Sequence, residues 1–294
     1  MGKLNKYHGI VLLSALSWST LAIFSQLLTY QHVDAFTQVF WRLTFGAIVA
    51  GITLLIFKQQ IRFKKENISC LFINSLLFLG AYTTFSLAVF LGTPIAKVLA
   101  LNYAYPLAVV ILSYLLFKDL PTKKQFIAIT LSIISISLLL EVWNIHEFSQ
   151  IRLSDLFAYI NSFFFAGMIV YGKKIKTDTK LNPLQIMFIT LLLTIPELFI
   201  LAFLIHVPQF LPIINLHLTA ASWMLLLCIG SFSTVLPVVL LYVGISHIKA
   251  QVASILLLTE PVWVYILGIL LFDQLLTVWG LLGMLGILVS ALLI

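Results

Sequence analysis

Ten stretches of about 20 apolar residues follow one another along the chain, at approximately 9–29, 36–57, 69–91, 94–117, 125–142, 154–172, 184–206, 220–245, 250–272 and 277–294. A helix rises about 1.5 Å per residue, so each stretch matches a hydrocarbon core of roughly 30 Å. Only 9% of the 294 residues are charged, against roughly 25% in soluble domains, too little polar surface to cover a water-soluble globule. The solvent of this chain is therefore a lipid bilayer. Lipid offers backbone groups no hydrogen bonds, which restricts spanning segments to helices and closed barrels. Barrel strands need only about 10 residues of alternating character, whereas these runs are longer and continuously apolar. The expected fold is an all-α membrane protein of ten transmembrane helices. Lys3 and Lys6 precede the first run as they would a signal peptide, but no small-residue cleavage site follows it and nine similar runs do.

The charges that remain are distributed by topology. With the N-terminus in the cytoplasm, the inner segments hold Lys3, Lys6, Lys58, Arg62, Lys64, Lys65, Lys118, Lys123, Lys124, Lys173, Lys174, Lys176, Lys180 and Lys249, fourteen of the seventeen basic residues. The outer loops hold only Arg152. The positive-inside rule then places both termini in the cytoplasm of a multi-pass protein of the cell (inner) membrane. The net charge of +7 is accounted for by this asymmetry and gives no reason to invoke nucleic acid. Cys70 and Cys228 lie in or beside spans and make no disulfide framework.

The chain is also written twice. An offset of 155 aligns Pro106 with Pro261, Phe117 with Phe272 and Thr122 with Thr277, and ten of the thirty pairs between Thr93–Thr122 and Ile248–Thr277 are identical. A weaker echo at an offset of 147 relates SWSTLAIFSQ (Ser17–Gln26) to FFAGMIVYGK (Phe164–Lys173). The halves are 1–147 and 148–294, with five spans each. An odd number per half turns the second half over in the membrane, so the expected architecture is two inverted five-helix repeats. Such repeats can open a central site alternately to either side.

The order and spacing of SALSWST in the first span, FWRLTFGA in the second, and a proline, an apolar run and a short acidic turn in the fourth and ninth resemble the EamA-type branch of the drug/metabolite transporter superfamily. The resemblance covers essentially the whole chain. It implies a secondary transporter of small organic metabolites working by alternating access. Such proteins usually carry Gly-Glu after the fourth and ninth spans, where this chain has Lys118-Asp119 and Asp273-Gln274. The Glu before the second proline is present as Glu260, but its first-half counterpart is Tyr105.

Ionisable residues inside spans are functional candidates, since a central charge costs about 2.5–3.5 kcal/mol on insertion scales. Four qualify: Arg42, Lys97, Glu197 and Glu260. Arg42 and Glu197 fall at similar depths in equivalent spans, an arrangement that suggests a charge pair between the halves. Glu260, near the midplane beside Pro261, is a candidate proton or substrate site, and Pro106 and Pro261 are expected helix kinks that free backbone carbonyls. Lys97 either snorkels to the interface or faces a cavity. Trp18, Tyr82, Tyr103, Tyr242 and Trp263 lie within spans and are candidates for an aromatic cavity wall. The balance of two cations and two carboxylates suits an amino acid or related zwitterion, with protons as a candidate coupling ion.

Other signals carry less. GMIVYGKK (Gly167–Lys174) has phosphate-loop spacing but lacks the following Ser or Thr and closes a hydrophobic span. The six histidines never take metal-helix spacing, so no metal and no cofactor is expected. Gly280, Gly283 and Gly286 permit close helix contact, within the chain or in a homodimer. Two alternatives to transport are a non-transporting assembly or regulatory subunit and a membrane-embedded enzyme. The second lacks any HExxH, GxSxG or Cys/His constellation.

Overall fold

A computed structural model of the chain describes residues 5–60, 67–93, 95–143, 152–179, 181–204, 217–273 and 275–294. Lys64, Gln150 and Gln209, in three of the loops that the charge asymmetry orients, lie outside these residues, as does Gln274. Among the described residues all regular structure is helical: α1 (Lys6–Tyr30), α2 (Ala35–Ile56), α3 (Ile68–Phe90), α4 (Ile95–Asn102), α5 (Tyr105–Phe117), α6 (Lys123–Leu139), α7 (Asp155–Asp178), α8 (Pro183–Leu204), α9 (Ala220–Gly230), α10 (Leu236–Ile245), α11 (Ala250–Leu257), α12 (Glu260–Phe272) and α13 (Val278–Leu292), with a π-helical turn at Ser231–Val235 joining α9 to α10. Among the described residues, eight segments are long and apolar enough to cross a membrane, counting α4–α5, α9–α10 and α11–α12 as one each, and α13 is a shorter apolar helix. Leu55, Phe203 and Leu275 are more than three-quarters exposed. Large apolar side chains on the outside are what a lipid solvent stabilises.

The helix ends follow local chemistry. Thr122 and Thr277 cap α6 and α13 through their hydroxyls, Asp34 caps α2 and Thr219 caps α9, each satisfying a backbone N–H that the first turn leaves without a partner. The two prolines expected to kink single helices act differently. Each stands in the first turn of a new helix, α5 or α12, after a true break at Tyr103–Ala104 or Leu258–Thr259. Proline lacks the N–H and clashes with the carbonyl four residues back, but in a first turn neither matters. The second helices of both pairs end on left-handed residues, Lys118 at φ 58° and Asp273 at φ 52°. Those are the positions where the resembled pattern carries glycine, and a side chain there costs roughly 1–2 kcal/mol.

A third irregularity has the same origin. Pro237, in the first turn of α10, cannot bond the carbonyl of Ser233, and the chain absorbs the mismatch in the preceding π turn.

The helices assemble with α2 on α8, α6 on α13, α3 on α7 and α1 on α10. A Cβ on Gly283 would lie 2.6 Å from the Ser135 carbonyl and the Leu139 nitrogen, so only glycine lets α13 approach α6 this closely. Ser132 and Ser290 share a hydrogen bond of 2.6 Å across the same contact. The small-residue face of α13 is thus occupied within the chain rather than left open for a second copy.

Candidate solute site at the helix breaks

The two broken segments bring polar groups to the middle of the bundle. Glu260 opens α12 at one break, and Tyr103 and Tyr105 flank the other. Glu260 is within electrostatic reach of Arg42, Tyr82, Tyr103 and Tyr105. Arg42, on α2, is buried with its guanidinium carbon 4.0 Å above the Tyr82 ring, a cation–π contact. Its Nε donates to Thr234 Oγ1 at 2.6 Å and its Nη2 to the Ser233 carbonyl at 3.4 Å. The Ser233 carbonyl is the one that Pro237 releases, so the proline creates the acceptor that orients the arginine. Among the described residues Arg42 makes no direct ion pair. Cation and carboxylate face the same region without closing on each other.

Aromatic side chains wall this region. Trp18, on α1, packs on Phe165 of α7 with ring centroids 5.4 Å apart, and Tyr105 meets the same Phe165 at 4.9 Å. The Tyr105 hydroxyl donates to the Ser254 carbonyl at 3.2 Å, which also accepts the Leu258 N–H at 3.3 Å where α11 ends. Two buried polar atoms near the breaks have no hydrogen-bond partner: Trp263 Nε1, one turn after Glu260, and Asn102 Oδ1, beside Tyr103. A donor and an acceptor left unpaired in a native core cost about 1–3 kcal/mol each unless something else binds them. By contrast, an outward groove of about 470 Å³ between α3, α5 and α7 is lined by side chains such as Ile73, Leu77, Leu116 and Phe163, and suits acyl chains rather than a polar solute.

Other sequence candidates are placed elsewhere. Glu197 does not meet Arg42. α2 and α8 run antiparallel, with Phe40 on Phe199 and Gly46 on Leu191, so the two Cα atoms are nearly level. Helical side chains lean toward their own N-terminus, and on antiparallel helices that separates them. Glu197 Oε1 instead lies at hydrogen-bond distance, 2.5 Å, from Ser75 Oγ of α3. Tyr242 is fully buried, donates to Asn74 Oδ1 at 3.2 Å and fills the space beside Gly172, which makes it core.

Lys97 neither snorkels nor offers a free charge to a cavity. Its ammonium is 2.5 Å from Asp155 Oδ2, and both side chains are buried. Asp155 also accepts from Thr93 Oγ1 and the Arg152 N–H, both at 3.0 Å, tying α4 to the start of α7. Removing one member of a buried pair typically costs about 3–5 kcal/mol because the other charge is stranded. Lys97→Met and Asp155→Asn are each expected to lower unfolding stability in detergent by about 3 kcal/mol, with the double variant less damaged than their sum. Asp155 stands at the edge of the 154–172 stretch, and Asn102 and Thr234 are neither ionisable nor aromatic, so none of the three stands out in the sequence. The Pro106 break marks Asn102, and Pro237 marks the turn that holds Thr234, but nothing local marks Asp155 as the partner of Lys97.

The fold and this buried polar centre define a multi-pass helical membrane protein built around helix breaks. The EamA-like transporter family matches the chain at residues 5–141 and again at 152–294. The protein belongs to that family. An uncharacterized transporter from Archaeoglobus fulgidus is 26% identical over 192 residues, which span 65% of this chain and 64% of that protein. A solved crystal structure aligns over 98% of both chains with a TM-score of 0.81 at 15% identity, a likeness of fold.

Proposed function

We propose that the protein is a secondary transporter of small organic solutes across the cell (inner) membrane, working by alternating access between inverted halves 1–147 and 148–294. The observation that carries this reading is that Arg42 and Glu260 lie within electrostatic reach of each other, Glu260 at a helix break, in an aromatic-walled centre with unpaired polar atoms. Its charge balance suits an amino acid or related zwitterion: a carboxylate toward Arg42, an ammonium toward Glu260, and the solute's apolar part among Trp18, Tyr103 and Trp263. Glu260 is also the proposed proton-coupling group.

Reciprocal contacts support the inverted repeat. α4, α5 and α6 begin 155 residues before α11, α12 and α13. At an offset of 147, Ser14 donates to the Pro237 carbonyl on α10 and Asn161 donates to the Ala81 carbonyl on α3. Trp18 and Phe165, equivalent at that same offset, touch each other, as positions near a two-fold axis do. Ten crossings with both termini cytoplasmic accommodate this symmetry and the charge asymmetry.

Purified protein in liposomes loaded with amino acids is expected to exchange labelled solute, and liposomes with an assembly subunit would show none. Cysteines at positions 64, 123 and 176 are expected to label from the cytoplasm and those at 31, 150 and 209 from outside. Reversal at any two would contradict the inverted halves.

A further inference from the structure

The contact between α3 and α8 contains a buried polar stripe that the central site does not use. Thr190, Thr194 and Glu197 lie on one face of α8 at helical spacing, opposite Asn74 and Ser75 of α3. Asn74 Nδ2 donates to Thr190 Oγ1 at 2.8 Å, and Glu197 Oε1 is 2.5 Å from Ser75 Oγ. Ser75 Oγ is also 2.8 Å from the Phe72 carbonyl. A serine hydroxyl has one hydrogen, and both neighbours would be acceptors if Glu197 were ionised. One hydrogen cannot fully serve two acceptors in different directions. The count closes when Glu197 supplies a hydrogen of its own: its Oε1–H donates to Ser75 Oγ, and Ser75 donates to the Phe72 carbonyl.

The surroundings favour the same assignment. Glu197 is 8% exposed, and its second oxygen is buried without a hydrogen bond. α8 packs on α2, α3 and α10, and it carries no other ionisable residue. α2 carries only Arg42, which is engaged by Thr234, Ser233 and Tyr82. α3 carries Cys70, near Tyr171, and Tyr82, beneath Arg42. α10 carries Tyr242, bonded to Asn74. No cation from these helices compensates the carboxyl group, and an uncompensated charge in an apolar interior is unstable.

We infer that Glu197, Ser75 and the Phe72 carbonyl form a proton-binding site, separate from the central one, that holds a proton while α3 and α8 are in contact. Losing the proton leaves Ser75 to turn its hydrogen to Glu197 and strands a charge between the helices. The contact is therefore conditional on the proton, whatever solute the protein carries.

Infrared spectra of the full chain in lipid vesicles at neutral pH, with no solute present, test this apart from transport. A protonated-carboxyl C=O band is expected that vanishes in Glu197→Gln, persists in Glu260→Gln and moves to higher frequency in Ser75→Ala, where its acceptor is gone. A Glu197→Gln spectrum that loses only ionised-carboxylate intensity would overturn the site. So would a band that disappears when sodium replaces choline at constant pH, since the group would then bind a metal cation. Failure of solute exchange with the band intact would count against the transport reading alone.

Discussion

Glu260→Gln is expected to abolish accumulation driven by a pH gradient while leaving counterflow exchange intact. Glutamine keeps the size and much of the hydrogen bonding of the side chain and removes only its ability to titrate. Glu260 opens a new helix at a break, partly accessible, with Arg42, Tyr82, Tyr103 and Tyr105 as its electrostatic neighbours. A group so placed can exchange a proton with whichever side the centre opens to. Driven uptake should fall by at least about tenfold, the equivalent of about 1.4 kcal/mol, and exchange should change by much less. Wild-type driven uptake in this variant would end the proton-coupling role. If Glu260 merely braced the break, Pro261→Ala would be the more harmful change, because the alanine N–H allows α11 and α12 to merge.

Arg42→Gln should be the most damaging single change to solute binding. Its guanidinium is held by Thr234, the Ser233 carbonyl and the Tyr82 face rather than by a carboxylate, so its charge remains available to an anionic group. Losing one partner of a buried charge interaction costs about 2 kcal/mol or more, over tenfold in apparent affinity. The geometry also says which second mutation couples to it. Arg42→Gln with Glu260→Gln should be less impaired in solute exchange than the two separate losses imply, because neither charge is left alone. Arg42→Gln with Glu197→Gln should be additive. Coupling to Glu197 instead would restore the pairing suggested by depth alone.

The sequence by itself determined what local rules govern. Length and apolarity set the helices, Thr122 and Thr277 set the starts of α6 and α13, and the offset of 155 marked Pro106 and Pro261 as disturbed turns, expected as kinks and found as breaks, because a proline's missing N–H acts on its own turn whatever surrounds it. It also picked out Arg42, Glu260, Trp18 and Tyr103, since buried polar and aromatic groups stand out in an apolar run. Only the tertiary structure decided partners. Lys97 finds Asp155 across 58 residues and Tyr242 finds Asn74 across 168, distances over which no periodicity speaks. Arg42 and Glu197 have matching depths, yet they part because side chains on antiparallel helices lean in opposite directions. Depth along a helix is written in the sequence; the direction a side chain faces is set by the neighbour it packs against.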